Sequence, residues 1–237
     1  MKAGKSWAAL GCALCMNAGA QTSDVWLVFG GTQASSPSGY SYLGVLKPLH
    51  GASLGQGAFH RTIASWLRYE YETTVAGQRV MAQARAPGVE TGWGYAWRTG
   101  GTQMEASLSV GVRDTDLRPA ALDSDVRGVQ WALTPQWAMQ HPLSATCALD
   151  VMASYALGPR DRYLRARVLE SSWMPGGRVG LELSHQQGQT YRQVSWGLVG
   201  SRDVAGGVRL ELGAGQMLSR EGRTDPYLSL AFSWVPR

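Results

Sequence analysis

The sequence predicts an all-β fold: a single antiparallel up-and-down transmembrane β-barrel of about 12 strands, within a range of about 10 to 14. Three observations predict it. The last hairpin alternates strictly. In residues 206–215, Val208, Leu210, Leu212 and Ala214 point one way and Arg209, Glu211, Gly213 and Gly215 the other, because successive strand side chains take opposite faces. The closing arm, 227–234, sets Leu228, Leu230, Phe232 and Trp234 against Tyr227, Ser229, Ala231 and Ser233, so an apolar row ends in aromatics near the terminus. Second, this rhythm recurs from residue 24 onward with no linker or charge block to divide it, which makes one domain. Third, the choice of cation is unusual. Beyond the leader the only lysine is Lys47 and every other cation is arginine, whereas a soluble surface is normally coated with lysine. Arginine is better suited to ion pairs in a confined interior.

The N-terminus reads as an export signal over residues 1–20, with the barrel domain over 21–237. Lys2 and Lys5 precede an apolar run from Trp7 to Met16, and Ala18-Gly19-Ala20 makes an A-x-A cleavage site. Cleavage removes Cys12 and Cys15, leaving Cys147 with no internal disulfide partner, and it reduces the formal charge of +5 to 20 basic against 17 acidic residues. That small surplus is no nucleic-acid footprint. No further apolar run approaches the ~18 residues of a helical span.

The first expected hairpin pairs residues 24–31 with 40–47 across a polar tip at 33–39. Pro48, Gly51 and Gly55 then break the chain, and 48–57 makes a turn. Residues 58–72 form a long strand whose Ile63, Leu67, Tyr69 and Tyr71 alternate with Thr62, Ala64, Trp66, Arg68 and Glu70. The return, 78–98, contains Pro87 and is taken as one strand, because splitting it gives an odd count in a fold that needs an even one. Residues 104–114 alternate regularly, and the acidic 114–125 is the longest expected loop. Segments 127–137, 144–155, 162–170, 178–185 and 191–200 follow, separated by Pro and Gly breakers. With the termini periplasmic, the tips near 33–39, 73–77, 114–125 and 218–224 face outward, while 48–57, long for a periplasmic turn, faces the periplasm. Trp137, Tyr155, Tyr163, Trp173, Tyr191 and Trp234 lie near strand ends, where an interfacial girdle would stand.

A soluble β-sandwich would also alternate, but its polar face would carry lysine, Asn and Thr rather than Gly, Ser, Gln and balanced Arg and Glu. The expected lumen-facing set is Trp66, Arg68, Glu70, Glu105, Arg113, Arg165, Arg167, Glu182, Arg209 and Glu211. It admits two roles: a polar lining that passes or holds a sugar chain, with Trp66 or Trp93 as a stacking surface, or an ion-pair lattice that fills the barrel. The near balance of charge favours filling. No catalytic set emerges. Ser184 and His185 are adjacent and so face opposite ways, His50 and His141 fall in turns, and nothing selects a serine for His60. No motif for a metal or other cofactor appears, and none is expected.

The runs YLGVLKPLHGASLGQGAFHRTIASWLRYEYET (42–73), ARAPGVETGWGY (84–95) and VGVRDTDLRP (110–119) resemble the cellulose biosynthesis protein BcsS family, covering about the first half of the mature chain. The resemblance implies an outer-membrane barrel attached to bacterial cellulose synthesis, assisting synthesis, export or surface anchoring of the exopolysaccharide. Its implied partners are outer-membrane lipid, a β-glucan chain and components of the cellulose synthase complex. It transfers no catalytic residue. A small-solute porin and a barrel hydrolase or deacylase are the alternatives.

Overall fold

A computed structural model describes residues 25–36, 38–75 (backbone alone over 71–75), 77–119, 127–158, 160–187, 192–219 and 222–236. The expected leader, 1–20, and Tyr191 lie outside the described residues. The strands are β1 (Leu27–Ser35), β2 (Ser38–Pro48), β3 (Gly57–Val75), β4 (Gln78–Thr99), β5 (Thr102–Arg118), β6 (Gly128–Pro142), β7 (Cys147–Ala156), β8 (Asp161–Ser171), β9 (Gly177–Gln187), β10 (Arg192–Val204), β11 (Val208–Ser219) and β12 (Thr224–Trp234). Each pairs antiparallel with its sequence neighbours, and β1 pairs with β12 to close the barrel. The closing register, Val28 opposite Trp234 through Ser35 opposite Tyr227, brings both termini to one end, called here the terminal end.

Pro87 does not split β4. The register with β3 is continuous from Val75–Gln78 to Gly57–Ala96, and with β5 the ladder lapses only beside Pro87, which has no N–H to give. A second interior proline, Pro135, sits where β6 meets β7. That pairing covers Gln136–Pro142 and resumes only at an isolated bridge between Leu133 and Leu157. Two expected loops are shorter than the sequence suggests. Residues 114–118 continue β5, with Thr115 and Leu117 buried, and β3 runs on to Val75, leaving a tight connection to Gln78. The rest of the acidic loop, 120–126, lies outside the described residues.

The outward face carries the apolar rows. Leu108, Val110, Val129, Trp131, Leu181, Leu183, Leu198, Leu212, Leu228 and Leu230 are all exposed, Leu198 at 67% and Leu212 at 64%, as side chains meeting lipid rather than a core would be. Trp137, Tyr155, Trp173 and Trp234 lie on or beyond this wall at strand ends, but Tyr163 does not: it is 4% exposed and points inward.

The interior is not uniformly polar. On β1–β5 it is largely apolar: Leu27, Phe29, Tyr42, Ile63, Leu54 and Val235 form one cluster, and Leu67, Tyr69, Ala84, Ala86 and Leu117 another. Glycines make room for the rings. Phe29 lies opposite Gly44, Phe59 opposite Gly94, and Tyr227 opposite Gly215. A Cβ at Gly44 or Gly94 would overlap the facing phenyl ring, and one at Gly215 would lie 2.8 Å from Cε1 of Tyr227. Each pair is a cross-strand contact in which the ring covers backbone that a glycine leaves bare.

Gly94→Val is therefore expected to destabilise the barrel by about 1–3 kcal/mol, the usual range for overpacking a filled interior. Denaturant titration of the detergent-solubilised protein, followed by the mobility difference between heated and unheated samples on gels, would measure the loss.

Candidate functional site

The interior is where the chemistry-bearing side chains converge. Seven of the ten expected lumen residues are there: Glu105, Arg113, Arg165, Arg167, Glu182, Arg209 and Glu211 share the inward face of their strands with neighbours such as Ser107, Asp150 and Tyr227. Trp66, Arg68 and Glu70 are not. On β3 the inward residues are Phe59, Arg61, Ile63, Leu67 and Tyr69, all buried, so Trp66 (51% exposed), Arg68 and Glu70 stand on the outer wall, opposite Pro87, Arg85 and Gln83. Trp93, offered as a stacking surface, is outside as well. The phase is reversed on this strand because its apolar residues build the interior clusters.

The charge lattice occupies β7–β11. Arg167 is its centre. Its guanidinium donates to Glu182 on β9, Nε to Oε2 at 2.6 Å, and reaches past β10 to Glu211 on β11, Nη2 to Oε1 at 2.8 Å and Nη1 to Oε2 at 3.1 Å. Tyr227 donates to Oε1 of Glu182 at 3.5 Å. Beside this triad, Arg165 donates to Asp150 at 3.1 Å with both side chains 3% exposed. At the terminal mouth Arg209 pairs with Asp203 through two hydrogen bonds of 2.5 and 2.9 Å.

A second charged group crosses β3–β5: Arg61 donates to Glu90 and to Ser109, each at 3.2 Å. Arg61 is 5% exposed, and the alternation of the outward Thr62 and Ala64 was the signal that could have placed it inside. Tyr40 and Tyr42 also face the interior, ring centroids 5.8 Å apart and nearly parallel. Their spacing of two residues on one strand was the legible cue.

The long turn between β2 and β3 plugs the terminal mouth. Gly51, Gly55 and Gly57 take left-handed φ of +80°, +78° and +93°, which favour glycine, and residues 53 and 56 exchange backbone hydrogen bonds of 2.9 and 3.0 Å. The resulting fold-back buries Leu54, 4% exposed, against Leu27, Phe29 and Val235. Beneath it remains a pocket of about 30 Å³ bounded by Phe59, Arg61, Gln103 and Glu105. A length that is anomalous for a turn is explained by its use as a stopper.

Outside, His60 meets a threonine rather than a serine. Its Nε2 lies 2.9 Å from Thr91 Oγ1, Thr91 lies 3.0 Å from Thr62 Oγ1, and the imidazole sits edge-on to Trp93 at 5.5 Å. Glu90, next in sequence, points inward to Arg61, so no carboxylate from that strand orients the histidine. His141 pairs with Thr102 at 2.7 Å beside a turn, while Ser184 is buried inside and His185 faces out. Among the described residues no three potential ligands are grouped to hold a metal ion.

A family model described as cellulose biosynthesis protein BcsS matches residues 27–235. No curated protein matches the chain. Solved structures similar to it are outer-membrane barrels. An outer membrane channel from Pseudomonas putida F1 aligns with TM-score 0.58 at 12% identity over 91% of this chain and 97% of that one. KdgM porin aligns with TM-score 0.54 at 9% identity over 88% and 98%, and LpxR from Salmonella typhimurium with 0.54 at 10% over 88% and 99%. At these identities the likeness shows the fold.

Removing the centre of the lattice leaves two half-buried carboxylates on the same face without their cation. Arg167→Met is expected to cost about 3–5 kcal/mol, and the triple variant Arg167→Met, Glu182→Gln, Glu211→Gln to recover most of it. Unfolding midpoints in urea for the two proteins would check the order.

Proposed function

Because this chain belongs to the cellulose biosynthesis protein BcsS family, we propose that it is an outer-membrane barrel that assists the synthesis, export or surface anchoring of a β-glucan without itself catalysing a reaction. It reaches the outer membrane behind a cleaved export signal, with lipid around its wall and a β-glucan chain or a cellulose synthase component as its partner. The single observation that carries the reading beyond the family is the filled interior. Arg167 is paired with Glu182 and Glu211, Arg165 with Asp150 and Arg61 with Glu90, while Leu54 stops the terminal mouth.

Two physical arguments favour an anchor over a conduit. A lattice whose charges neutralise one another offers little net field to draw an ionic solute inward. A glucan threading the barrel would need open aromatic platforms, whereas Tyr42 and Tyr69 are 6% and 5% exposed and packed among apolar neighbours. The contact with polysaccharide or synthase then belongs to the barrel ends, and the wall supplies attachment. The hydrolase alternative finds no support in the outer His60–Thr91 pair, which has neither serine nor an orienting carboxylate from β4.

In planar bilayers the purified protein is expected to give no stable ohmic channel. A strain lacking it is expected to lose surface cellulose while the entry of a small chromogenic solute stays unchanged. Steady single-channel conductance would instead mark a porin, and labelling by a serine-reactive probe would mark a hydrolase.

A further inference from the structure

The outer wall over β8–β11 is not an even apolar belt. Val168, Leu181, Leu198 and Ala214 make one register row, and Ala166, Leu183, Trp196 and Gln216 the next toward the end opposite the termini. Ala166 and Ala214 are short, so the taller leucines and Trp196 stand around a groove of about 670 Å³. Continuing toward the same end, the next row is Leu164, His185, Val194 and Leu218, and above it come Arg162, Gln187 and Arg192. Rows on one face are about 7 Å apart, so the cations stand about 14 Å above the near edge of the groove.

This upper row is cationic without local compensation. Arg162 and Arg192 are exposed, and both lie within electrostatic reach of His185. Arg162 donates to Gln187 Oε1 at 2.6 Å. The nearby carboxylates, Asp161 and Asp225, are buried on the inner side, at 3% and 9% exposure. Among the described residues of β7–β12 the outer face at this level carries no carboxylate.

We infer that this wall binds a single phosphorylated, acylated lipid of the surrounding leaflet, its phosphate held by Arg162 and Arg192 and an acyl chain lying in the groove below. The inference rests on the membrane placement proposed above. Arginine forks match phosphate oxygens in a bidentate fashion, and a cationic row at headgroup level above a lipid-facing groove fits an amphiphile better than a free ion. A second copy docked symmetrically on the same patch would instead set these arginines near their own counterparts, which like charge disfavours.

The test uses the full mature protein in detergent, with bis-phosphorylated lipid A, the same lipid without phosphates, and inorganic phosphate as probes, and bound lipid read by native mass spectrometry. The double variant Arg162→Gln, Arg192→Gln is expected to weaken retention of bis-phosphorylated lipid A by about thirtyfold and to leave the dephosphorylated lipid unchanged. Ala214→Phe, which fills the groove, is expected to weaken both lipids. Equal retention by wild type and double variant, equal competition by inorganic phosphate, or a lipid-independent dimer that Ala214→Phe disrupts would each overturn the lipid site. Heated and unheated gel mobility separates the two levels: an intact barrel lacking these differences fails the lipid site alone, and a chain without a heat-modifiable barrel fails the membrane reading beneath it.

Discussion

Closure of the backbone ladder is the constraint on which everything else depends. In hydrocarbon an unpaired N–H or C=O has no water to turn to, so a strand-built span must leave no edge. The pairing of β1 with β12 meets this demand and also decides what each side chain can do. Once the ring is closed, alternate residues are committed to lipid or to a shared interior. Side chains from both walls occupy that interior.

Two unlike materials fill it. The β1–β4 wall brings rings and aliphatic groups, several lying over glycines on the facing strand. The β7–β11 wall brings arginines and carboxylates that satisfy one another over short distances. The division is physically coherent. A desolvated charge is tolerable only beside its partner and with its remaining hydrogen bonds made, so charges gather where other charges are. One apolar cluster gathers under the stopper at the terminal mouth, and the other packs on itself toward the opposite end.

Much of this was legible in the sequence. The alternation of Leu210, Leu212, Leu228 and Leu230 against Arg209, Glu211, Ser229 and Ala231 needs no structure to assign its two faces, and continuity through Pro87 followed from the parity of the strand count. The inward arginines of β8 were equally plain because their neighbours Leu164, Ala166 and Val168 are apolar. On β3 the same logic misled. Both faces there mix polar and apolar residues, and the strand rises past the apolar belt, where Arg68 and Glu70 can stand outside. Tyr163 failed as a girdle residue for a related reason: a tyrosine at a strand end can pack inward among charges as readily as outward at an interface. The fold-back of residues 49–56 was legible only as an anomaly of length, since hydrophobic pattern over eight residues cannot say what a loop will cover. The joint site on the outer wall depends on registers across four strands, which no single strand reveals.

The lapse in pairing where Pro135 faces β7 gives the ring a place of unequal strength. Elsewhere neighbouring strands are zipped along nearly their whole common length; here the zip is short and its upper teeth are missing. Amides flanking this joint would exchange hydrogen with solvent before those of the long β3–β4 ribbon, and any sideways parting of the wall would begin there. Thr134, Gln136 and Ser154, just inside the joint, would be the first interior groups uncovered, so the circumference has a built-in direction in which it yields.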